Sequence, residues 1–167
     1  MKNATRSIVF LILFGVMVVY GPALWLMLHS GSNVVSSSSM LNSYSSKHLL
    51  HGGLIWHAQS PPQYPEWVEI DYSSPKKIKC LAMQAQGDGI GSGNEYLRMP
   101  KDFIFQASND RNTWVDLLKV SNNIYNIGGE WKRWNFQNKN NYRHYRIYIT
   151  ANSDPNLLTI QQIGLDE

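Results

Sequence analysis

The stretch that most restricts the fold runs from Arg98 to Trp114, Arg-Met-Pro-Lys-Asp-Phe-Ile-Phe-Gln-Ala-Ser-Asn-Asp-Arg-Asn-Thr-Trp. A loop arrives at Pro100. Phe103, Phe105 and Ala107 then alternate with polar or exposed neighbours at period two, the spacing of a strand with one buried face. Ser108 to Asn112 supplies turn chemistry, because Asn and Asp side chains bond their own backbone and tolerate left-handed geometry. Trp114 opens a second apolar run through Val115, Leu117 and Leu118. The segment predicts a β-hairpin whose aromatic side chains anchor an all-β core.

The rest of the chain from Lys47 onward follows the same grammar of short, turn-bounded apolar runs. Val68, Ile70 and Tyr72 share one face of the run Trp67 to Tyr72, and Ile78 to Ala85 follows a Ser-Ser-Pro-Lys-Lys turn. A Gly-rich loop, residues 87–93, leads into the hairpin. Trp131 to Phe136 and Tyr142 to Ile149 read as a further pair across Asn138 to Asn141, with Tyr145, Ile147 and Ile149 on one face. Thr159 to Leu165 closes the domain. Seven or eight strands with no helix longer than a turn or two predict an all-β jelly-roll sandwich. Nine Tyr and six Trp supply enough aromatic volume for its core.

Residues 8–28 carry no charge and as a helix would span about 30 Å, a bilayer's hydrocarbon thickness. Lys2 and Arg6 precede them and no Lys or Arg follows until Lys47. The positive-inside rule therefore predicts a cytoplasmic N-terminus (1–7), one transmembrane helix (8–28) and a domain on the periplasmic, extracellular or lumenal side. A cleaved signal peptide is the alternative, with Ser30-Gly31-Ser32 as processing site, but the apolar run is longer than such segments need. Residues 29–46 are Ser-rich: 29–38 read as a flexible linker, and the later part as the first edge strand of the domain, 39–167.

Charge narrows the function classes. Setting aside Lys2 and Arg6 leaves 13 basic side chains against all 12 acidic ones, so residues 29–167 are close to neutral. That is a poor footprint for nucleic acid. The single cysteine, Cys80, permits no intrachain disulfide and reads as a small buried hydrophobe on a strand. No G-x-S-x-G, H-E-x-x-H or phosphate-cradling G-x-x-x-x-G-K-[ST] is present. Asp71, Asp88, Asp110 and Asp116 have no spacing that marks a catalytic pair. No catalytic residue is assigned, and a non-catalytic binding protein is expected.

Four ordered stretches resemble the discoidin, or coagulation-factor type C, family. Leu50-His-Gly-Gly-Leu-Ile-Trp56-His57-Ala58 looks like its "l-D-G…W-h-a" segment. Pro65-Glu-Trp67-Val-Glu-Ile-Asp71-Tyr is similar to its "P-x-W-v-x-i-D-l" strand. Residues 98–114 are similar to its "P-x-x-f-x-l-x-x-S-n-D-g…W" hairpin, and Tyr142 to Ile149 to its "Y-r-y-y-R-i-x-i" strand. The resemblance covers about residues 36–167 and implies a galactose-binding-like jelly roll that binds sugars, lipid head groups or proteins through loops at one end. It places His57 and Arg98 where sugar-binding relatives contact galactose-type hydroxyls. Asp88, Asn94 and Tyr96 on the same long loop would add an acceptor and a stacking face. Three positions depart from the pattern: His51 replaces the Asp of the "D-G" turn, Arg111 replaces a Gly after Ser-Asn-Asp, and Gln162 stands for a late Glu. The first and last remove oxygen ligands that hold a structural calcium ion in relatives, so no cofactor is expected unless backbone carbonyls build a calcium site.

Trp56, Trp67 and Trp114 lie where the apolar pattern demands packing and are expected in the core. Trp131 and Trp134 flank a turn, and Trp131 is taken as a stacking face for a ligand. His48, His51 and His57 are close in sequence, but no Cys or carboxylate joins them, so no metal site is assigned. Two functions follow as expectations. One is a membrane-anchored module that recognises carbohydrate or another surface ligand through His57, Arg98, Asp88, Asn94, Tyr96 and Trp131. The other is an accessory subunit of a membrane complex, docked through its helix and its jelly roll.

Overall fold

The period-two runs become ten strands in a computed structural model that describes residues 33–87 and 93–167. In chain order they are β1 (Val34–Ser37), β2 (Trp56–His57), β3 (Glu66–Lys76), β4 (Cys80–Gln84) and β5 (Pro100–Ser108). There follow β6 (Val115–Val120), β7 (Trp131–Asn135), β8 (Tyr142–Asn152), β9 (Thr159–Ile160) and β10 (Gln162–Asp166). They form a five-stranded sheet in the order β1-β3-β8-β5-β6, a three-stranded sheet β10-β4-β7 and a two-stranded β2-β9 ribbon, and every pairing is antiparallel. The helical residue among those described is confined to two single 3-10 turns, Ser46–His48 and Glu95–Arg98. The architecture is the all-β jelly-roll sandwich that the sequence predicts.

The core lies where the alternation puts it. Val68 and Ile70 of β3, Phe103, Phe105 and Ala107 of β5, and Tyr145, Ile147 and Ile149 of β8 are all buried, as are Leu81 and Met83 of β4. Phe105 stacks on Tyr145 with centroids 5.6 Å apart, and Phe103 meets Trp134 of the opposing sheet edge-on at 5.3 Å. Such aromatic pairs contribute about 0.5–1.5 kcal/mol beyond the area they bury. The Tyr145 hydroxyl donates to Lys76 O at 2.6 Å and accepts from Ile78 N at 3.3 Å, so its polar end is satisfied inside the sandwich. Cys80 is buried on β4, as expected of a small hydrophobe.

Four sequence expectations need correction. Tyr142 to Ile149 does not pair with Trp131 to Phe136: β8 has both edges occupied by β3 and β5, β7 pairs with β4, and the loop between them crosses from one sheet to the other. The stretch read as linker already contains β1, which pairs with β3 from Val34↔Asp71 to Ser37↔Val68. Serines gave it a linker composition, but their backbone completes a sheet edge. Trp67 and Trp114 are half-buried and outside the core. Trp67 takes the opposite phase from Val68 and Ile70, and Trp114 lies under the Arg146 guanidinium, 3.9 Å from the ring centre. Trp131 and Trp134 share one strand and do not flank a turn, and alternation sends Trp134 toward Phe103 and leaves Trp131 exposed. Residues 1–32, which include the proposed span 8–28, lie outside the described residues. Among those described, no helix is long and apolar enough to cross a membrane.

Candidate functional site

The candidate site is built from β2, the 3-10 turn Glu95–Arg98 and the loop after β8. Trp56 is fully buried and its indole N–H donates to Ser39 O at 3.0 Å, which fixes the next residue, His57. β2 pairs with β9 through Trp56↔Ile160 and His57↔Thr159. The imidazole lies against Tyr44, with ring centroids 4.5 Å apart and planes tilted by 53°. Only 6% of His57 is exposed. Burial, and then the positive charge of Arg98, push its pKa down to about 4. His57 is therefore neutral at physiological pH and offers one N–H donor and one acceptor. Its Nδ1 is buried and has no hydrogen-bond partner among the described residues, and the Thr159 hydroxyl beside it is in the same condition.

Arg98 ends a turn whose geometry is set by Leu97 N donating to Asn94 O (3.0 Å) and Met99 N to Tyr96 O (3.3 Å), with Met99 sunk into the core. The Arg98 Nε donates to Asp154 Oδ2 at 3.4 Å, and its terminal nitrogen lies 4.0 Å from Glu95 Oε1. Asp154 is itself held, because its Oδ1 accepts from the backbone N–H groups of Asn156 (2.9 Å) and Leu157 (3.1 Å). Asn152 ties the same loop together, donating to Arg98 O and accepting from the Tyr64 hydroxyl at 2.6 Å. Burial and then the Glu66 carboxylate push the Tyr64 hydroxyl up to about 12. Glu95 is 1% exposed, and neither carboxylate oxygen has a hydrogen-bond donor among the described residues.

The structure thus brings His57 and Arg98 into one electrostatic neighbourhood. Asn94 and Tyr96 belong to the same turn, but the Tyr96 hydroxyl donates to Asn94 Oδ1 at 3.3 Å and its ring packs partly on the core. Trp131 stands on the outer face of the three-stranded sheet, 45% exposed, opposite Gln84 and leaning toward Gly164. Asp88 lies outside the described residues. Sequence reasoning missed Glu95, Asp154 and Thr159. An acid three residues before Arg98 and the turn-forming Ser-Asp-Pro-Asn run were the available signals.

His48 and His51 are exposed while His57 is buried, and among the described residues no three His, Cys, Asp or Glu side chains are grouped to hold a metal. The His51-Gly52 turn packs against Gln162, whose Oε1 lies 3.5 Å from where a Gly52 side chain would begin. The His51 imidazole offers calcium no oxygen, and the Gln162 amide offers one uncharged oxygen where a carboxylate would bind more strongly, so this donor set is poorer than the ion prefers.

A second polar cluster covers the outer face of the large sheet. Arg111 donates from Nε to Glu69 Oε1 (2.6 Å) and from its terminal nitrogen to Asp71 Oδ2 (2.9 Å), and Arg143 donates to Asp71 Oδ1 (2.9 Å). Burial works against the charge on Asp71, but those hydrogen bonds from Arg143 and Arg111 hold its carboxyl below the usual range. Arg111 has φ +60°, a left-handed backbone normally left to glycine, which explains why a Gly would suit this turn. Its side chain is what bridges the two acids. Arg146 lies between Trp114 and Tyr148 and donates to Gln106 at 2.7 Å.

The profile of the F5/8 type C domain matches residues 33–161. The chain belongs to that family. Comparison with curated proteins finds no match. Among solved structures, this F5/8 type C domain is similar to CpGH89CBM32-5 from Clostridium perfringens, in complex with GalNAc-β-1,3-galactose. The TM-score is 0.62 at 14% identity, covering 82% of this chain and 96% of that one. It is also similar to chitosan-binding module 2, in complex with chitotriose, from a Paenibacillus sp. IK-5 chitosanase/glucanase (TM-score 0.61, 14% identity, 81% and 96% covered). A third is the CBM32 of AlyQ in complex with 4,5-unsaturated mannuronic acid (TM-score 0.62, 12% identity, 80% and 94% covered). At such identities the likeness establishes the fold.

Proposed function

We propose that this F5/8 type C domain is a non-catalytic carbohydrate-binding module whose ligand sits against His57 and Arg98. The observation that carries the reading is the His57 imidazole, kept neutral by burial and set in the field of the Arg98 guanidinium, so that directional donors and an acceptor stand together. Similar structures were solved with GalNAc-β-1,3-galactose, chitotriose and 4,5-unsaturated mannuronic acid, which supports a glycan as the class of ligand. Asn94 and Tyr96 belong to the turn that carries Arg98, Asp88 precedes them in sequence, and Trp131 offers a separate stacking face. Residues 8–28 would anchor the domain in a membrane with the module on the non-cytoplasmic side. Calorimetric titration with galactose-type sugars tests the proposal, and affinity that survives the H57A/R98A double variant unchanged removes the site.

Ile124 and Ile127, 59% and 61% exposed on the loop before β7, favour a second reading as an accessory subunit that docks on a protein partner. Purification from membranes in mild detergent distinguishes the two, since a subunit comigrates with its partner in fixed ratio.

A further inference from the structure

We propose that the free edge of β1 is a docking groove for an extended peptide segment of a partner protein, which adds to the five-stranded sheet as a further strand and sets a carboxylate against Lys47. The groove shares no lining residue with the His57 and Arg98 site.

β1 borders the sheet and pairs with β3 alone. Ser38 N donates to Trp67 O at 2.9 Å, one step beyond the Ser37↔Val68 pair, so in an antiparallel ladder Ser36 and Val34 are the residues that bond to β3. Val35 and Ser37 therefore direct their N–H and C=O groups away from β3, and no backbone group among the described residues bonds them. Sheet edges are usually guarded by charge, proline or a bulge. Val34-Val35-Ser36-Ser37 has none of these, and its register with β3 is unbroken. An open cleft of about 590 Å³ lies between residues 35–40 and a wall made by Ser43 and residues 45–47. No β3 residue lines it, so it runs along the free edge.

Both sides of the cleft are held in place by the fold. Ser38 and Ser39 donate to the buried Glu66, Ser39 at 2.7 Å, and Ser39 O accepts from the Trp56 indole at 3.0 Å. In the opposite wall Tyr44 N donates to Leu41 O (3.1 Å) and Leu49 N to Ser46 O (3.1 Å), with Leu49 sunk in the core. A preformed cleft lowers the ordering cost of binding. The lining then selects the occupant. It contains no aromatic ring, so a sugar finds no stacking face. A second copy would bring its own wall of residues 43–47 beside its β1, and wall would meet wall before the strands could pair. A single extended strand has no such wall. Lys47 is the one charged group of the lining, exposed and outside every ion pair of the described residues. Met40, 49% exposed, adds an adaptable apolar contact. Strands added in this way draw affinity from main-chain hydrogen bonds and selectivity from the flanking side chains.

A capped peptide, Thr-Val-Thr-Val-Thr-Asp, titrated into the purified full chain provides the test, read by calorimetry and by amide hydrogen exchange. It is expected to bind and to slow exchange at Val35 and Ser37 by about tenfold or more. The same peptide methylated at every amide nitrogen has lost its donors and should not bind. Ser37→Pro removes one outward N–H, leaves the bonds to β3 in place and should weaken the peptide on the order of tenfold. Lys47→Glu should weaken it by about threefold and turn the preference toward a peptide ending in Lys, so it carries the test if Ser37→Pro does not fold. Val35 and Ser37 amides already protected in the chain alone, by residues 1–32 or by a second copy, overturn the inference. A peptide that leaves them unprotected at millimolar concentration, or whose affinity is unmoved in both variants, overturns it as well.

Discussion

The two polar clusters of this domain are finished differently. On the outer face of the large sheet, Glu69 and Asp71 are met by Arg111 and Arg143 at 2.6–2.9 Å, and Arg146 is sandwiched by aromatic rings and bonded to Gln106. At the loop end, His57 Nδ1, both Glu95 oxygens and the Thr159 hydroxyl are more deeply buried and lack partners among the described residues. Desolvation weighs more on the loop end, because on the sheet face Arg111 and Arg143 remain half-exposed. On the sheet face both carboxylates are paired, and the His144 Nδ1 beside them is the one buried polar atom there without a partner among the described residues. The loop end finds no such partners among the described residues. His144 marks the boundary of the contrast, since its Nδ1 is 3.6 Å from Glu69 and 3.5 Å from Asp71, facing charge without hydrogen-bond geometry.

Acid gives the largest way to break this comparison. The His57 pKa is lowered in the folded state to about 4, below its ordinary 6.5, so the unfolded chain binds the proton first. Stability from this group is fully present above about pH 6.5 and is lost as pH falls toward 4, on the order of 3 kcal/mol. Denaturant melts across that window should show the loss, and H57Q should remove most of it. His144 shifts in the same direction and supplies the remainder. Asp71 is lowered below the carboxylate range, so its contribution is lost only at more acid pH. A decline confined below pH 4 would show that the loop end is not the acid-sensitive cluster.

Binding comes next. R98A should weaken glycan affinity by about 10- to 100-fold, the usual effect of losing a charge-assisted hydrogen bond. R111A, in the other cluster, should leave affinity within about twofold, because the two sites share no partner. Calorimetry of both variants checks the pair, and comparable losses would erase the distinction. In stability the order reverses for Arg111. R111A should destabilise by about 1–2 kcal/mol by uncovering the Glu69 carboxylate, an effect moderated because Arg111 is itself half-exposed. The smallest effect is backbone: R111G should be about 0.5–1 kcal/mol more stable than R111A, since only glycine is at ease at φ +60°.

The core was legible because period-two alternation is a local property. Phe103, Phe105, Tyr145, Ile147 and Ile149 could be placed on inner faces without knowing their partners. Which strands pair was less so: the loop 136–141 looks like a hairpin connection in sequence, and only the saturation of β8 by β3 and β5 shows that it is a crossover. At the site, His57 and Arg98 were found because a motif points at them. Glu95 and Asp154 act through distance to Arg98 across 56 residues of chain in the latter case, which no local pattern encodes. Trp114 was misplaced because an indole fits the core pattern, whereas its partner is the guanidinium of Arg146 on another strand.

β6 forms the outer border of the large sheet, with an irregularity in its register where Phe105 and Gln106 meet Leu118 and Asp116. An open border of this kind invites a neighbouring chain to add another strand and start a polymer. The local offset, together with the exposed Asp116 and Lys119, gives an intruding strand a mismatched template and two charges to desolvate. Copies crowded side by side on a surface would therefore stay separate units, free to engage their ligands independently.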